Sequence, residues 1–393
     1  MRIFILGATG FIGNAVFHSL VAENIVTIGG RTPIDGYDNW KFIDFTKENN
    51  WNELLIDIDL VINAIGIIDG DFEQIQTKSP LKLFETCIKK GISIINISAV
   101  GAEKENPPIP FLKTKKITDD FLLSYDHAKI IYPGIVLGKG ALSTQFFAEM
   151  AQFPIIPLLN SQNPPAIHIS QLTALIKNVV ENFETYPKQI FAVAKSESLE
   201  KILTAIRGKK GIFFKTSTFL PKFFFAIFPK ASIGIFNKNM LTMLSSISAD
   251  DYQPICEEAS LKINSKELSR SNYFPMIFAL LAISFIWIWS GISSLISWNE
   301  SLSTMKEIGA NQQYAVLFIY AGSIVDIVLG IAVFWKKWRK PILLFQILFV
   351  LIYTIILSVL APHYWLHPLG VLSKNIPLIA LTYYLYQGKE SGK

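Results

Sequence analysis

The residues best suited to chemistry stand at the start of the chain. Gly7-Ala8-Thr9-Gly10-Phe11-Ile12-Gly13 spaces three glycines as G-x-x-G-x-x-G. The first glycine permits a tight turn, the second lets a phosphate reach the backbone, and the third lets a helix pack closely on a strand. Free N–H groups at the start of that helix attract a pyrophosphate. A glycine triplet means this only between a strand and a helix. Arg2–Leu6 reads as a buried strand, and a helical stretch runs from the last glycine to about residue 22, so the context fits. The motif therefore predicts a dinucleotide cradle, held by Gly7, Thr9, Gly10, Phe11, Ile12 and Gly13.

Three later sites would complete it. Arg31 follows Gly29-Gly30, where an NAD-selective site carries an acid for the ribose 2′-hydroxyl. Arginine there suits the 2′-phosphate of NADP; the plainer alternative is a solvated surface arginine. Asp44 follows a third strand and is placed to contact the adenine. Asn63-Ala64-Ile65-Gly66 ends a fourth strand, where open α/β sheets bind ligands.

These side chains need a scaffold, and the hydrophobic pattern supplies one. Short apolar runs at 25–28, 41–43, 60–64 and 93–97 alternate with helical patterns. That alternation predicts an α/β fold, a Rossmann-type doubly wound parallel sheet. Gly7, Gly10 and Gly13 interrupt the first apolar stretch, which argues against a signal peptide.

The chain has 393 residues, a hydrophobic fraction of 51% and a charged fraction of 17%. Its mean hydropathy is +0.37. Disorder is excluded, because disordered chains are charge-rich and poor in aromatics. Cys87 and Cys256 are the sole cysteines, too few for a disulfide scaffold and in keeping with a reducing compartment. Residues 1–271 carry 55 of the 67 charged side chains, with a net charge of +1; residues 272–393 carry 12, with a net charge of +4. A near-neutral first part without a basic stripe excludes nucleic-acid binding.

The last third reads as a bundle of four transmembrane helices, at 273–298, 314–335, 341–362 and, less apolar, 368–386. A span needs about 20 mostly apolar residues. Lys336, Lys337, Arg339 and Lys340 form the most basic loop, which the positive-inside rule puts in the cytoplasm. The expected location is a bacterial-type cell membrane, multi-pass, with the N-terminal domain and the C-terminus cytoplasmic. Asp326 is the sole acid in an expected span, and a carboxylate there marks a functional site by default. It either pairs with Lys374, lines a polar cavity reached by a quinone or a proton, or makes a structural contact.

The first 200 residues resemble the atypical and extended short-chain dehydrogenases/reductases, and among them the NAD(P)-binding proteins similar to the 39-kDa accessory subunit of respiratory complex I. The matching pieces are the glycine loop, Asp44, 63–66, Ile97-Ser98-Ala99, 133–138 and Ile167-His168-Ile169. The tail resembles the DoxX-like four-helix membrane domain at 321–326, 362–370 and 374–377. The first resemblance implies NADP or NAD as cofactor. It also implies a catalytic Tyr-x-x-x-Lys with a strand serine, in which lysine grips the nicotinamide ribose and lowers the tyrosine pKa. Ser98 matches the serine and Lys115 the lysine, but the tyrosine position is Phe111. Phenylalanine has no proton to give, which places ordinary carbonyl reduction in doubt. Tyr132 also stands where the family has arginine, and the spacing of Tyr125 makes it no substitute.

Residues 1–200 are thus expected to form the nucleotide-binding domain, 201–271 a substrate-cleft or membrane-proximal region, and 272–393 the membrane domain. The middle region mixes aromatics with lysines at 219–230 and reads equally as interfacial segment, cleft lining or core. His168 reads as a structural histidine. No cluster has metal-ligand spacing. The functional expectation is an NADP(H)-preferring, membrane-anchored oxidoreductase acting on an apolar, quinone- or lipid-like substrate. The competing expectation is a non-catalytic NADPH-binding subunit of a membrane redox complex. An epimerase or dehydratase is disfavoured by the missing tyrosine.

Overall fold

The computed structural model describes residues 1–68, 70–151, 155–159, 163–208, 210–216, 232–233, 236–254, 273–368 and 370–388. The segment at 219–230, Cys256, Lys389 and Lys393 lie outside the described residues. The chain divides into two compact units, Met1–Leu220 with Asn239–Arg270, and Pro221–Lys238 with Ser271–Lys393.

The first unit is built on a seven-stranded parallel sheet. In chain order its elements are β1 (Arg2–Leu6), α1 (Phe11–Leu20), β2 (Ile25–Gly30), β3 (Trp40–Phe42), α2 (Trp51–Leu54), β4 (Leu60–Asn63), a π-helical turn (Gln74–Lys78) and α3 (Ser79–Lys90). They continue with β5 (Ser93–Ile97), α4 (Pro110–Leu123), β6 (Ala128–Pro133), β7 (Ile135–Leu137), α5 (Leu142–Met150), β8 (Ile155–Leu159), β9 (Ala166–His168), α6 (Ile169–Glu181) and β10 (Gln189–Ala192). The spatial order is β10-β6-β5-β4-β1-β2-β3. The chain runs outward from β1 to β3, then returns to lay β4 on the other side of β1. That reversal opens a crevice at the carboxyl ends of β1 and β4, the place where such sheets bind ligands.

Local sequence explains the strands. Ile3, Phe4, Ile5 and Leu6 are fully buried, as are Val61 and Ile62. Near-continuous apolar runs suit parallel strands covered on both faces. One layer packs Phe4, Val61, Phe84, Leu112 and Tyr132; the other packs Ile3, Ile5, Val16, Ile95 and Ile176.

The second unit is helical. Three helices are long and apolar enough to cross a membrane, with spans at Phe278–Ile296, Gln312–Ala332 and Lys336–Leu360. Their outward side chains are apolar too: Phe285, Leu317, Ile355 and Val359 are each more than half exposed. A continuous apolar surface of this kind suits hydrocarbon rather than water. The fourth expected span is shorter than the sequence suggested. Turns occupy 371–374, and the helix runs only Asn375–Gln387, 13 residues. At about 1.5 Å per residue it covers ~20 Å, less than the ~30 Å hydrocarbon core. His363 pairs with Glu307 at 3.0 Å, which brings the two loops at that end of the bundle together. Gly388 approaches Met276 at the opposite end.

Candidate functional site

Gly7 leaves β1 with φ of +80°, and its N–H donates to the Gly29 carbonyl on β2 at 3.2 Å. A side chain at Gly7 would strike the Ala64 backbone at 3.0 Å. One at Gly13 would lie 2.1 Å from the Gly7 carbonyl oxygen, so α1 can meet the turn only without a β-carbon there. Gly10 differs: a β-carbon there would meet one protein atom, the Gly7 oxygen at 3.2 Å, and otherwise open space. The loop is therefore packed on its inner side and open over Gly10, and Thr9 and Gly10 are exposed. This is the shape a pyrophosphate requires, so the residues fit a dinucleotide.

The other expected cofactor residues lie along the same strand ends. Exposed Arg31 follows β2. Asp44 lies just past β3, where its carboxylate accepts from the Thr46 hydroxyl at 2.7 Å and the Thr46 N–H at 3.0 Å. Those bonds, with smaller help from Lys47 and Arg31, hold its pKa below the ordinary value. Asn63 closes β4, and its side-chain oxygen accepts from the Ile65 N–H at 3.3 Å. A β-carbon at Gly66 would sit 3.7 Å from the Lys115 amine.

Lys115 and Ser98 converge on the ends of β4 and β5. Pro110 opens α4 in its first turn, where a missing N–H costs nothing. The Lys115 Nζ donates to the Ile97 carbonyl at 2.9 Å. Burial pulls its pKa down to about 8, partly offset by the charge of Asp119. Four residues along the same face of α4, Asp119 accepts a hydrogen bond from the Ser98 hydroxyl. Its second oxygen accepts from Asn96 Nδ2 at 2.9 Å, and Asn96 Oδ1 accepts from Asn63 Nδ2 at 2.9 Å. Burial pushes the Asp119 carboxyl up to about 6, against the lowering effects of Ser98, Lys115 and Asn96. Ser98, Asn63, Asn96, Lys115 and Asp119 are all buried. Asn63, Asn96, Asp119 and Ser98 form one hydrogen-bonded chain from the crevice into α4, with Lys115 one turn from Asp119.

Phe111 occupies the expected acid position. Its ring lies 5.7 Å from the Lys115 amine and packs edge-on against Phe72. No other tyrosine expected near the site replaces it. Tyr125 donates to the Ile92 carbonyl at 3.4 Å, at the amino end of β5, whereas Ser98 lies past its carboxyl end. Tyr132 is fully buried on β6, stacked on Phe191. His168 caps α6, its ring nitrogen accepting from the Ser170 N–H at 3.3 Å.

Asp119, Asn96 and Gln76 escaped the sequence reading. Asn96 is a polar position within the otherwise apolar β5, and Asp119 is one helical turn from Lys115. Gln76 sits in the π-helical turn, 3% exposed, with both side-chain polar atoms unpartnered among the described residues. A π-helical turn is rare and often marks a functional segment. A separate depression of about 790 Å³, lined by Glu103, Tyr186, Phe191 and Tyr252, opens beside edge strand β10 and includes none of the polar chain.

Comparison with known proteins gives two family matches. Residues 3–136 match the NAD dependent epimerase/dehydratase family, and residues 284–383 match the DoxX-like family. Residues 3–136 are thus similar to the NAD dependent epimerase/dehydratase family, a domain of the short-chain dehydrogenase/reductase kind. The C-terminal helices form a DoxX-like membrane domain. Together they make the protein a membrane-associated, oxidoreductase-like nucleotide-binding protein.

Similar solved structures include UDP-N-acetylglucosamine 4-epimerase from Methanobrevibacter ruminantium M1 in complex with UDP-N-acetylmuramic acid. It is 17% identical over 55% of this chain and 85% of that one, with a TM-score of 0.46. UDP-glucuronic acid 4-epimerase from Bacillus cereus in complex with NAD is 18% identical over 55% and 88%, with a TM-score of 0.46. Human epimerase family protein SDR39U1 (isoform 2) with NADPH is 18% identical over 66% and 96%, with a TM-score of 0.48. A search of curated proteins finds no match.

Proposed function

We propose that the protein is a membrane-anchored, NADP(H)-preferring oxidoreductase acting on an apolar carbonyl compound, quinone- or lipid-like in character. The observation that carries this reading is the buried lysine at the crevice. Lys115 is held at the ends of β4 and β5, joined through the fold to Ser98 and Asp119. Burying a lysine is costly, and its place at the strand ends of the crevice supports a role in gripping a ribose.

In this reading Gly7, Thr9, Gly10, Phe11, Ile12 and Gly13 hold the pyrophosphate. Arg31 meets the 2′-phosphate and Asp44 the adenine end. Asn63, Ala64 and Gly66 border the ribose, and Lys115 reaches its hydroxyls. The bound nucleotide supplies the hydride chemistry. Ser98 orients the substrate oxygen, while the protonic role of the family tyrosine passes to water or to a substrate hydroxyl. Residues 1–200 carry this site, 201–271 border the substrate or the membrane, and 272–393 anchor the chain. The basic loop at 336–340, the N-terminal domain and the C-terminus face the cytoplasm of a bacterial-type cell.

Phe111 favours a second reading, a nucleotide-binding but non-catalytic subunit of a membrane redox assembly. One experiment separates the two. The full-length protein is purified in detergent and assayed for co-purifying nucleotide, then for loss of reduced-nicotinamide absorbance with quinones and aldehydes. Turnover supports the first reading; tight NADPH without turnover supports the second; no nucleotide at all rejects both.

A further inference from the structure

Strand β10 ends one side of the seven-stranded sheet. Among the described residues it pairs with β6 alone, in parallel register from Gln189 opposite Ile130 to Ala192 opposite Pro133. The Lys188 carbonyl accepts from the Ile130 N–H at 2.7 Å, and the Ala192 carbonyl from the Gly134 N–H at 3.1 Å. The even-numbered residues thus turn their backbone groups toward β6. Backbone direction alternates along a strand. The N–H and C=O groups of Gln189 and Phe191 therefore face outward, without a ladder partner among the described residues. Charged side chains commonly blunt such an edge. Here Gln189–Ala192 carries none, and Lys188 before it is tied to the Leu123 carbonyl at 3.0 Å and to Asp126 at 2.8 Å.

The depression of about 790 Å³ lies along this free edge, with Gln189, Ile190 and Phe191 in its lining. Its two walls come from opposite faces of the sheet. Leu175, Tyr186 and Ile190 belong to the layer of Val16 and Ile176, whereas Phe191 and Tyr252 belong to the layer of Phe84 and Leu112. The groove therefore wraps the sheet edge, with β10 as its floor. The first wall carries no charge. On the second, the rings of Phe191 and Tyr252 lie 5.3 Å apart beside Glu103, Lys104 and Asp251. Tyr252 donates to Glu103 at 2.5 Å, and Lys104 pairs with Asp251 at 3.6 Å. Two carboxylates against one amine leave this wall negative.

We propose that the free edge of β10 accepts an extended peptide strand from a partner protein, one that alternates aliphatic and basic residues. Main-chain bonds to Gln189 and Phe191 would add an eighth strand to the sheet, and the walls would choose its side chains. Successive side chains of a strand point to opposite faces. Aliphatic residues then meet Leu175 and Ile190. Basic residues meet the aromatic faces and carboxylates of the other wall, which attract a cation together. A single strand fits a concave groove with a four-residue floor. Two copies of the chain set groove to groove would leave both depressions unfilled. This surface is separate from the nucleotide crevice and does not depend on turnover there.

The test is fluorescence anisotropy with the full-length protein in a non-ionic detergent. The probe is a fluorescein-labelled peptide of eight residues alternating valine and arginine; its controls replace arginine by glutamate, or N-methylate every valine or every arginine. Saturable binding of the valine–arginine peptide is expected, at least tenfold tighter than the valine–glutamate one. Only one set of alternate amides can face β10, so one N-methylated peptide should lose at least tenfold and the other stay within threefold. Gln189→Pro removes an outward N–H and keeps the β6 ladder, a change that edge strands tolerate. It should weaken binding at least fivefold, as should Asp251→Lys, which reverses an exposed charge on the negative wall. Equal affinity for the arginine and glutamate peptides overturns the proposal, as does an equal effect of the two N-methylated sets. Wild-type affinity in either variant also overturns it, and if Gln189→Pro fails to fold, Asp251→Lys and the N-methylated pair decide. A dimer seen by light scattering that Gln189→Pro dissolves would assign the edge to a second copy of the chain instead.

Discussion

The Ser98 hydroxyl donates to the carboxylate of Asp119, tying the end of β5 to α4 one turn beyond Lys115. This places a carboxyl group raised to about 6 inside the crevice wall, against 3.8 for a free side chain. Between about pH 4 and pH 6 the folded chain holds a proton that the unfolded chain has released. Stability therefore falls as pH rises through that window. Asp119→Asn should remove the dependence. Hydrogen exchange of α4 and β5 amides in the full-length protein, corrected for intrinsic rates, should lose at least tenfold protection from pH 4 to 6 in wild type and stay level in the variant.

Lys115 shows the opposite sign. Its pKa is lowered to about 8, so near neutral pH the charged form is better accommodated in the unfolded chain, and stability from this group rises between about pH 8 and 10.5. Lys115→Met keeps the volume and removes the charge. It should raise the unfolding temperature at pH 7 while weakening NADPH binding at least tenfold by titration calorimetry. Unchanged affinity would remove Lys115 from the cofactor site.

Gly13 and Gly10 separate packing from binding. At Gly13 a β-carbon meets the Gly7 backbone at 2.1 Å, which no rotamer relieves. Gly13→Ala should displace the turn, lowering both stability and nucleotide affinity. At Gly10 the only contact is at 3.2 Å, and the added methyl points into open space. Gly10→Ala should leave the melting temperature within a degree or two and still cut NADPH affinity roughly tenfold. Equal effects on melting at both positions would contradict the open cradle.

That contrast shows what was legible in the sequence. The glycine loop was, because Gly7 and Gly13 stand where the backbone leaves no room for a β-carbon and Gly10 stands where a phosphate must approach. The three long spans were, because hydrocarbon selects composition over a whole helix. The Asn63–Asn96–Asp119–Ser98 chain was not, because it depends on register. Asn63 and Asn96 face each other only because β4 and β5 pair at those positions. Asp119 read alone is one of two adjacent acids on a charged helix. The fourth membrane helix was overextended because apolar residues before Lys374 form turns, which composition does not distinguish from helix.

Arg31 tests cofactor choice cleanly because it is exposed. Arg31→Asp should leave stability unchanged within about 0.5 kcal/mol, the usual range for a surface change. The ratio of NADPH to NADH affinity should fall by an order of magnitude or more through loss of a charge-assisted phosphate contact. A retained preference would mean that another residue reads the 2′-phosphate.

Phe111→Tyr bears most directly on catalysis. The Phe111 ring already lies 5.7 Å from the Lys115 amine, so a hydroxyl there would stand beside the group that lowers a tyrosine pKa. A positioned proton donor contributes roughly 10²- to 10⁴-fold to rate. If the crevice binds substrate and lacks only this donor, Phe111→Tyr should raise aldehyde or quinone reduction about a hundredfold, with NADPH affinity unchanged. A new pH dependence should appear above neutrality, where the introduced phenol ionises, measured as kcat against pH in the full-length protein. If tight nucleotide binding persists but turnover stays at the wild-type level, the missing hydroxyl is not what limits the site. The non-catalytic reading would then account for Phe111 better than the oxidoreductase reading does.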